Sequence, residues 1–210
     1  MDAGADSACE VVRKVDRTRV TELHYIVPLV NLPSIAALGL VSHNAAEKMS
    51  HESIALQSAQ DMRAGLKVPN GLPLHDYVNL YFDARNPMMY RRLDHKMSIA
   101  VLRVSPAVLD IPGAIVTDGN AASPSTFCGP APRDIAGLDE ERVYARFWTH
   151  SDNWTYREWK RKRCAEVLVP HVVAIEYLIG CYVYSDQVLT QCKQICPAIA
   201  AEVYKDVFFG

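Results

Sequence analysis

The chain has 210 residues, of which 50% are hydrophobic and 22% are charged, and its formal net charge at pH 7 is −2. This length and composition are typical of one globular domain with a sizeable core, and the near-neutral charge gives no global sign of nucleic-acid binding. The first residues lack the apolar core of a secretory signal and no apolar run is long enough to cross a bilayer, so we expect a cytoplasmic protein with no membrane segment.

Hydrophobic periodicity, helix caps and turn residues predict a mixture of helices and strands. Asn31 is placed to N-cap a short helix, and Gly39 is placed to end it. In chain order the predicted elements are a strand at 20–27, the helix between Asn31 and Gly39, a helix at 53–64, a strand at 77–83, a turn or short helix from Pro87, a strand at 97–104, a polar loop at 117–132, helices at 139–148 and 154–163, strands at 164–169 and 173–184, a helix at 186–194 and a strand at 203–209.

These elements do not follow a strict β-α-β rhythm, so the predicted fold class is α+β. We expect residues 1–18 to form a flexible segment and residues 19–210 to form a single domain. The six cysteines are scattered and lack the spacing of zinc ligands, which predicts reduced thiols and no metal site.

The predicted strand at 77–83 has two distinct faces. Strict alternation places Tyr77, Asn79, Tyr81 and Asp83 on one face. It places Val78, Leu80 and Phe82 on the other. A tyrosine on the first face can stack on a flat ring, although the same pattern also fits an amphipathic tyrosine at the sheet surface.

Glu166 is an acid within an apolar strand, at 164–169. Burial of an unpaired carboxylate is costly, so this position indicates a functional carboxylate or a paired one. Five of the seven residues at 157–163 are basic, and Arg157, Lys160 and Arg161 recur at helical spacing, with Trp154 and Trp159 between the charges. Cations interleaved with aromatic residues are typical of single-stranded nucleic-acid binding, but a solvated charged face has the same pattern.

Taken together, motifs along most of the chain resemble those of the DarT family of DNA-modifying toxins, within the poly(ADP-ribose)-polymerase-like ADP-ribosyltransferases. The resemblance runs from about residue 20 to the C-terminus. It rests on Leu23-His24-Tyr25-Ile26, Asn31-Leu32-Pro33-Ser34-Ile35, Ser53-Ile54-Ala55 through Arg63, Asp76-Tyr77-Val78, Tyr81-Phe82, Arg85-Asn86-Pro87-Met88, Thr117-Asp118-Gly119-Asn120-Ala121-Ala122 and Ala165-Glu166-Val167-Leu168-Val169. The sequence differs from the family's usual pattern at Ile26, Asn79 and Asn86, where Thr, Pro and Ser are common.

The resemblance implies an ADP-ribosyltransferase-like fold with a central split, mostly antiparallel β-sheet flanked by helices. It also implies transfer of ADP-ribose from NAD, used as a co-substrate without a metal, to thymine or guanine in single-stranded DNA. The protein would be the toxin of a toxin–antitoxin pair, with a macrodomain antitoxin as partner.

The same resemblance assigns roles to individual residues. Glu166 would be the catalytic base, and Arg63 would hold the NAD phosphates or steady the reacting centre. His24 would bind the adenosine ribose, and Tyr81 would stack on nicotinamide. The remaining cofactor-binding candidates are Tyr25, Ile26, Asn31, Leu32 and Met88, and the DNA-binding candidates are Arg85, Asn120, Arg157, Lys160 and Arg161.

Two other functions stay open at this point. The donor site would equally serve an ADP-ribosyltransferase that modifies RNA or protein. A catalytically silent nucleic-acid-binding module, in which Glu166 only pairs with an arginine, is the second.

Overall fold

The computed structural model describes residues 12–210, which form one large sheet with helices around it. The helices are α1 (Leu32–Leu38), α2 (His43–Ala46), α3 (Gln57–Ala64), α4 (Pro87–Tyr90), α5 (Ala131–Asp134), α6 (Glu140–Val143), α7 (Asn153–Lys162) and α8 (Asp186–Ile195). The strands are β1 (Leu23–Pro28), β2 (Leu40–Val41), β3 (Tyr77–Tyr81), β4 (Ile99–Val104), β5 (Ile115–Thr117), β6 (Cys128–Pro130), β7 (Glu166–Pro170), β8 (Val172–Val173), β9 (Leu178–Val183) and β10 (Ala201–Val203). In this part of the chain no helix is long and apolar enough to cross a membrane.

The large sheet has the strand order β10-β9-β4-β1-β3-β7-β5-β6, and β2 pairs separately with β8. All neighbours in the large sheet are antiparallel except β9 and β10. The predicted α+β class with a mostly antiparallel sheet is confirmed.

The sheet splits between its two central strands. β1 pairs with β4 along its whole length, but it pairs with β3 at one position, His24 opposite Tyr81. Beyond that position β1 and β3 diverge, and a cleft opens between the two halves of the sheet. This is the predicted split.

Both faces of β3 are covered. Val78, Leu80 and Phe82 lie in the main core, while Tyr77 and Tyr81 pack in two smaller apolar clusters. The predicted division of the strand into two faces is therefore confirmed, but the tyrosine face is not a solvent-exposed sheet surface: Tyr77 is buried.

Four predicted elements are shorter than expected. The helix at 53–64 begins only at Gln57, and the helix at 139–148 is the single turn α6. Helix α6 ends because the carbonyls of Val143 and Ala145 accept hydrogen bonds from the buried Arg163 guanidinium instead of from later amides of the same helix.

Two predicted strands are also shorter. The strand at 173–184 is broken by a 3₁₀ turn at Ile175–Tyr177, where the chain passes from β8 to β9. The strand at 203–209 is β10 followed by a 3₁₀ turn at Lys205–Phe208.

The predicted flexible N-terminal segment falls mostly outside the described residues. Its last part packs on the domain. Val15 is buried and its amide donates to the Leu138 carbonyl, and the backbone of Lys14 forms an isolated antiparallel β-bridge with that of Asp139. Asp16 then caps a 3₁₀ turn at Arg17–Arg19. The packed part of the chain therefore begins a few residues before the expected boundary at residue 18.

Candidate active site

The cleft at the split of the sheet has a volume of about 640 Å³. Its walls come from β1 and β3, from the segment at 49–56 with α3, and from the loop at 118–127 with α7. Its volume falls within the range of roughly 300–1,000 Å³ that is usual for small-molecule sites.

Glu166 lies on the wall of this cleft, at the first position of β7 and directly opposite Tyr81 of β3. The residue is only 1% exposed. Its backbone N–H donates to Thr117 Oγ1 at 3.0 Å, and that hydroxyl donates to the Gly119 carbonyl at 2.7 Å. The end of β5 therefore fixes the backbone from which the carboxylate projects.

Arg63, in the last turn of α3, pairs with this carboxylate. Nη1 lies 3.2 Å from Oε1 and 3.4 Å from Oε2, and Nη2 lies 3.3 Å from Oε2. The two side chains are 12% and 2% exposed, so the pair is almost entirely removed from water. The structure thus brings together the two predicted catalytic residues, which are 103 positions apart in the chain.

Burial raises the pKa of Glu166, whereas Arg63 and the backbone N–H of Ala121 act in the opposite direction. Burial would lower the pKa of Arg63, but Glu166 outweighs it and the pKa is raised. A carboxylate with a raised pKa beside a permanent cation is suited to accept a proton and to stabilise positive charge that develops in a transition state.

Two tyrosines complete this end of the cleft. Burial, followed by the charge of Glu166, raises the pKa of Tyr81 well above its usual value. Burial also raises the pKa of Tyr25, with Arg63 opposing it. Both hydroxyls are neutral at ordinary pH, so these residues offer aromatic walls and neutral hydrogen-bonding groups.

Of the other predicted cofactor-binding residues, Ile26, Asn31 and Met88 line the cleft. Asn31 occupies the predicted N-cap position of α1, but its side chain makes no capping hydrogen bond. Instead its Nδ2 donates to the Glu52 carbonyl at 2.7 Å and its Oδ1 accepts from the Glu52 N–H at 3.1 Å, which attaches the segment at 49–56 to the mouth of the cleft.

His24 and Leu32 are not among the residues that line the cleft, and the cofactor-binding roles of both stay predictions. His24 Nε2 lies 3.0 Å from Glu22 Oε1, and the ring lines a separate cavity of about 210 Å³. Glu22 also accepts hydrogen bonds from Arg103 and Tyr182, and this group of partners holds the imidazole away from the cleft. Leu32 is fully buried in the main core.

The predicted DNA-binding residues separate into three groups. Asn120, Arg157 and Lys160 line the cleft. Arg161 also borders it, but its guanidinium is paired with Asp118 and Glu158.

Arg85 does not line the cleft, and its contact with DNA stays a prediction. It is 9% exposed, donates to the Asp206 carbonyl and lies 4.0 Å above the Phe209 ring. Asn86, one of the departures from the family pattern, caps α4 by accepting from the Met88 and Met89 amides, a task that Ser also performs.

Sequence reasoning missed a histidine pair and a threonine in this region. His43 and His75 line the cleft with ring centroids 4.2 Å apart, and burial, followed by His43 and Arg63, lowers the pKa of His75. The two residues lie far apart in the sequence and belong to no motif, so nothing indicated their contact. Thr117 stood at the predicted start of a polar loop, but its hydrogen bond to the Glu166 amide depends on the pairing of β5 with β7.

A split, mostly antiparallel sheet, with a buried glutamate and a tyrosine opposite each other on neighbouring strands beside its central cleft, is the arrangement of an ADP-ribosyltransferase. The family model described as "ssDNA thymidine ADP-ribosyltransferase, DarT" matches residues 24–209. The chain belongs to the DarT family.

Two curated relatives are similar over most of the chain. A DNA ADP-ribosyl transferase–DNA ADP-ribosyl glycohydrolase fusion protein from Thermosipho africanus is 31% identical over 186 residues, which are 84% of this chain and 46% of the relative. The chain therefore spans about half the length of that relative. A DNA ADP-ribosyl transferase from Thermus sp. is 29% identical over 184 residues, 80% of this chain and 83% of the relative.

Solved structures give the same result. Thermosipho africanus DarTG in complex with ADP-ribose superposes with a TM-score of 0.79 at 27% identity and covers 90% of this chain and 51% of its own. Thermus sp. DarT in complex with ADP-ribosylated ssDNA superposes with a TM-score of 0.78 at 25% identity, over 93% of this chain and 99% of its own. The same Thermus protein in complex with carba-NAD+ gives 0.74 at 25% identity, over 90% and 98%.

Proposed function

We propose that this protein transfers ADP-ribose from NAD to a nucleobase of single-stranded DNA. The observation that carries the proposal is the buried Arg63–Glu166 pair on the wall of a cleft large enough for a dinucleotide. The relatives support it, because they are DNA ADP-ribosyl transferases and the Thermus structures contain carba-NAD+ and ADP-ribosylated ssDNA. Thymine is the favoured base, since the matching family model names thymidine.

The chemistry follows from the residues in the cleft. Breaking the bond between nicotinamide and ribose builds positive charge on the ribose ring, and the Glu166 carboxylate stabilises that charge. The base nitrogen that attacks must lose a proton, which the same carboxylate accepts. Tyr81, opposite Glu166, provides the flat surface for nicotinamide, and the planar donors of Arg63 suit the NAD phosphates.

The DNA strand would enter along Asn120, Arg157 and Lys160, which line the cleft and come from the loop at 118–127 and from α7. The cationic side chains of Arg157 and Lys160 suit a phosphate backbone. The reaction requires NAD and DNA in the same compartment, so the proposal includes a cytoplasmic location.

A macrodomain antitoxin is part of the proposal. The Thermosipho relative joins a DNA ADP-ribosyl transferase to a DNA ADP-ribosyl glycohydrolase, which pairs the modification with its removal in one protein. By the same logic this protein would be the toxin of a toxin–antitoxin pair.

Transfer to DNA is tested with NAD labelled in its adenosine part. We expect label on single-stranded oligonucleotides that contain thymine, little on the matched duplex, and none on oligonucleotides in which thymine is replaced by cytosine. Label only on strands that contain guanine would show that guanine, and not thymine, is the acceptor base. Label on RNA or protein of a cell lysate, with none on DNA, would favour an ADP-ribosyltransferase that modifies RNA or protein. NAD that stays intact in every reaction would favour a catalytically silent nucleic-acid-binding module.

The role of Arg157 and Lys160 is tested by the dependence of binding on salt. Changing both to Gln should weaken binding of a thymine-containing oligonucleotide and lower the slope of log affinity against log salt by about 1.4, because about 0.7 counterions are released per single-strand phosphate contact. The measurement is fluorescence anisotropy at several salt concentrations. Arg146→Gln, on the exposed pair with Asp206, is the matched control and should leave the slope unchanged. An unchanged slope in the double variant would place the DNA path elsewhere.

A further inference from the structure

Trp154 is the most exposed large apolar side chain in the part of the chain that the structure describes. It is 78% exposed, whereas Trp148 is 8% exposed. Trp159 is half-buried, with the guanidinium carbon of Arg142 lying 5.6 Å from its ring centre. Among the described residues no other aromatic ring contacts Trp154. A single exposed apolar residue is common on protein surfaces, so the neighbours of Trp154 decide what its exposure means.

The backbone that carries Trp154 is held in place. Trp154 is the second residue of α7, and Asp152 caps this helix by accepting the Thr155 N–H at 2.7 Å. The ring is therefore presented to solvent from an ordered helical turn. A flat side chain on a fixed backbone loses little conformational entropy when a ligand covers it.

Arg157 follows Trp154 by three positions on the same helix. It is exposed and also lines the cleft, so it lies at the mouth of the cleft. Side chains three positions apart on a helix are neighbours, with Cβ atoms about 5–6 Å apart. Trp154 therefore stands beside the mouth of the cleft, next to Arg157.

The basic residues at 157–163 differ in the groups that surround them. Four of them contact side chains of the protein: Lys160 with the Tyr156 hydroxyl, Arg161 with Asp118 and Glu158, Lys162 with Asp139 and Glu158, and Arg163 with Asp83. Arg157 forms no ion pair or side-chain hydrogen bond with any residue at 12–210. The cation beside Trp154 is thus available for an anion from solution.

An exposed indole next to an unpaired cation fits one kind of polymer well. Single-stranded nucleic acid carries phosphates and bases in alternation, and proteins bind it with cations for the phosphates and aromatic rings for the bases. A phosphate bound by Arg157 would bring a neighbouring base within reach of the Trp154 ring. In a duplex the bases are paired and stacked on one another, so they offer no free face to the indole.

We propose that Trp154 stacks on an unpaired base of the DNA strand, at a position that stays outside the cleft, while Arg157 binds an adjacent phosphate. This contact selects single strands over duplexes. The inference rests on the proposed function for the nature of the ligand, but it concerns binding and not the transfer step. It adds a base-binding residue to the phosphate-binding path along α7.

Two substitutions separate the ring from the rest of the side chain. Trp154→Ala removes the stacking surface, and Trp154→Phe keeps a smaller one. Phe147→Ala is the matched control, because Phe147 is also an exposed aromatic residue, at 63%, but it does not line the cleft or lie on α7.

The first measurement is fluorescence anisotropy with a thymine-containing oligonucleotide at several salt concentrations. Trp154→Ala should weaken binding about tenfold, and Trp154→Phe should recover most of the affinity. The slope of log affinity against log salt should not change, because stacking releases no counterions. The control should bind as the unaltered protein does. Undiminished affinity of Trp154→Ala, or a lower salt slope in that variant, would overturn the proposal.

The second measurement locates the stacked base. In a series of oligonucleotides, each base except the acceptor thymine is removed in turn to leave an abasic position. The unaltered protein should lose about tenfold in affinity at one position, and Trp154→Ala should lose nothing further there, because both changes remove the same contact. Affinity for the matched duplex should be equal in the two proteins. Losses that add at every position would contradict stacking.

The outcomes distinguish this inference from the proposed function. If the unaltered protein binds the oligonucleotide but transfers no ADP-ribose to it, the proposed function fails, and the affinities still decide the role of Trp154. If it binds no single-stranded DNA, both fail.

Discussion

Replacing Glu166 with glutamine should reduce ADP-ribose transfer at least about a thousandfold, which corresponds to several kcal/mol of barrier. The amide has nearly the same shape, but it neither accepts the proton of the attacking nitrogen nor balances positive charge on the ribose. The measurement is single-turnover transfer from labelled NAD to an oligonucleotide, at a temperature where circular dichroism shows the variant to be folded.

Glu22→Gln is the matched control for this experiment. Glu22 is also a partly buried carboxylate beside an arginine, with Arg103 Nε 2.7 Å from its Oε2, but it borders the separate cavity and not the cleft. We expect transfer within about threefold of the unaltered protein. Substantial transfer by Glu166→Gln would remove the carboxylate from the mechanism.

Replacing Arg63 should produce the second large loss. Arg63→Lys supplies one point charge in place of donors that reach both oxygens of Glu166, and we expect transfer to fall about a hundredfold. Undiminished turnover of the lysine variant would show that a positive charge at this place is sufficient. Kinetics at saturating NAD separate a chemical loss from a loss of NAD affinity.

Arg63→Met tests the same contact through stability. Removing one partner of a buried ion pair costs about 3 kcal/mol, because the other charge remains buried without compensation. Without Arg63, the pKa of Glu166 in the folded protein rises further above its value in the unfolded chain. The folded state is then favoured while Glu166 is protonated, and this advantage is lost as pH rises through the folded pKa.

The melting temperature of Arg63→Met should therefore fall furthest below that of the unaltered protein at neutral pH, and the gap should narrow towards acid pH. Arg146→Met removes an exposed pair with Asp206 and should cost less than about 1 kcal/mol at any pH. A gap that is constant across pH would show that Glu166 is not the group that Arg63 compensates.

Much of the fold could be predicted from local patterns. Alternation identified the core face of β3, and an acid in an apolar strand identified Glu166, because both signals lie within a few adjacent residues. The resemblance to a family assigned Arg63 to the same site, but the pairing of Arg63 with Glu166 was not predicted, since the sheet and α3 must fold before the two side chains meet.

The contacts that the sequence did not predict have a common physical cause. Glu22, which contacts His24, accepts hydrogen bonds from the distant residues Arg103 and Tyr182. Arg161 pairs with Asp118, which is 43 positions away in the chain. Periodicity shows which residues share a face, but it does not show which distant charge will meet them there. The sequence therefore did not predict that His24 and Arg161 would pair with the protein's own carboxylates.

The single contact between β1 and β3 places the two walls of the cleft on two halves of one sheet. β7 and β5 carry Glu166 and Thr117, and the loop at 118–127 connects β5 to β6 at the outer edge, as far as the sheet allows from β1. The β1 half supplies Tyr25 and Ile26 as a wall of the cleft. Residues of this outer loop can thus be exchanged while the strands that carry Glu166 and the opposite wall of the cleft stay as they are.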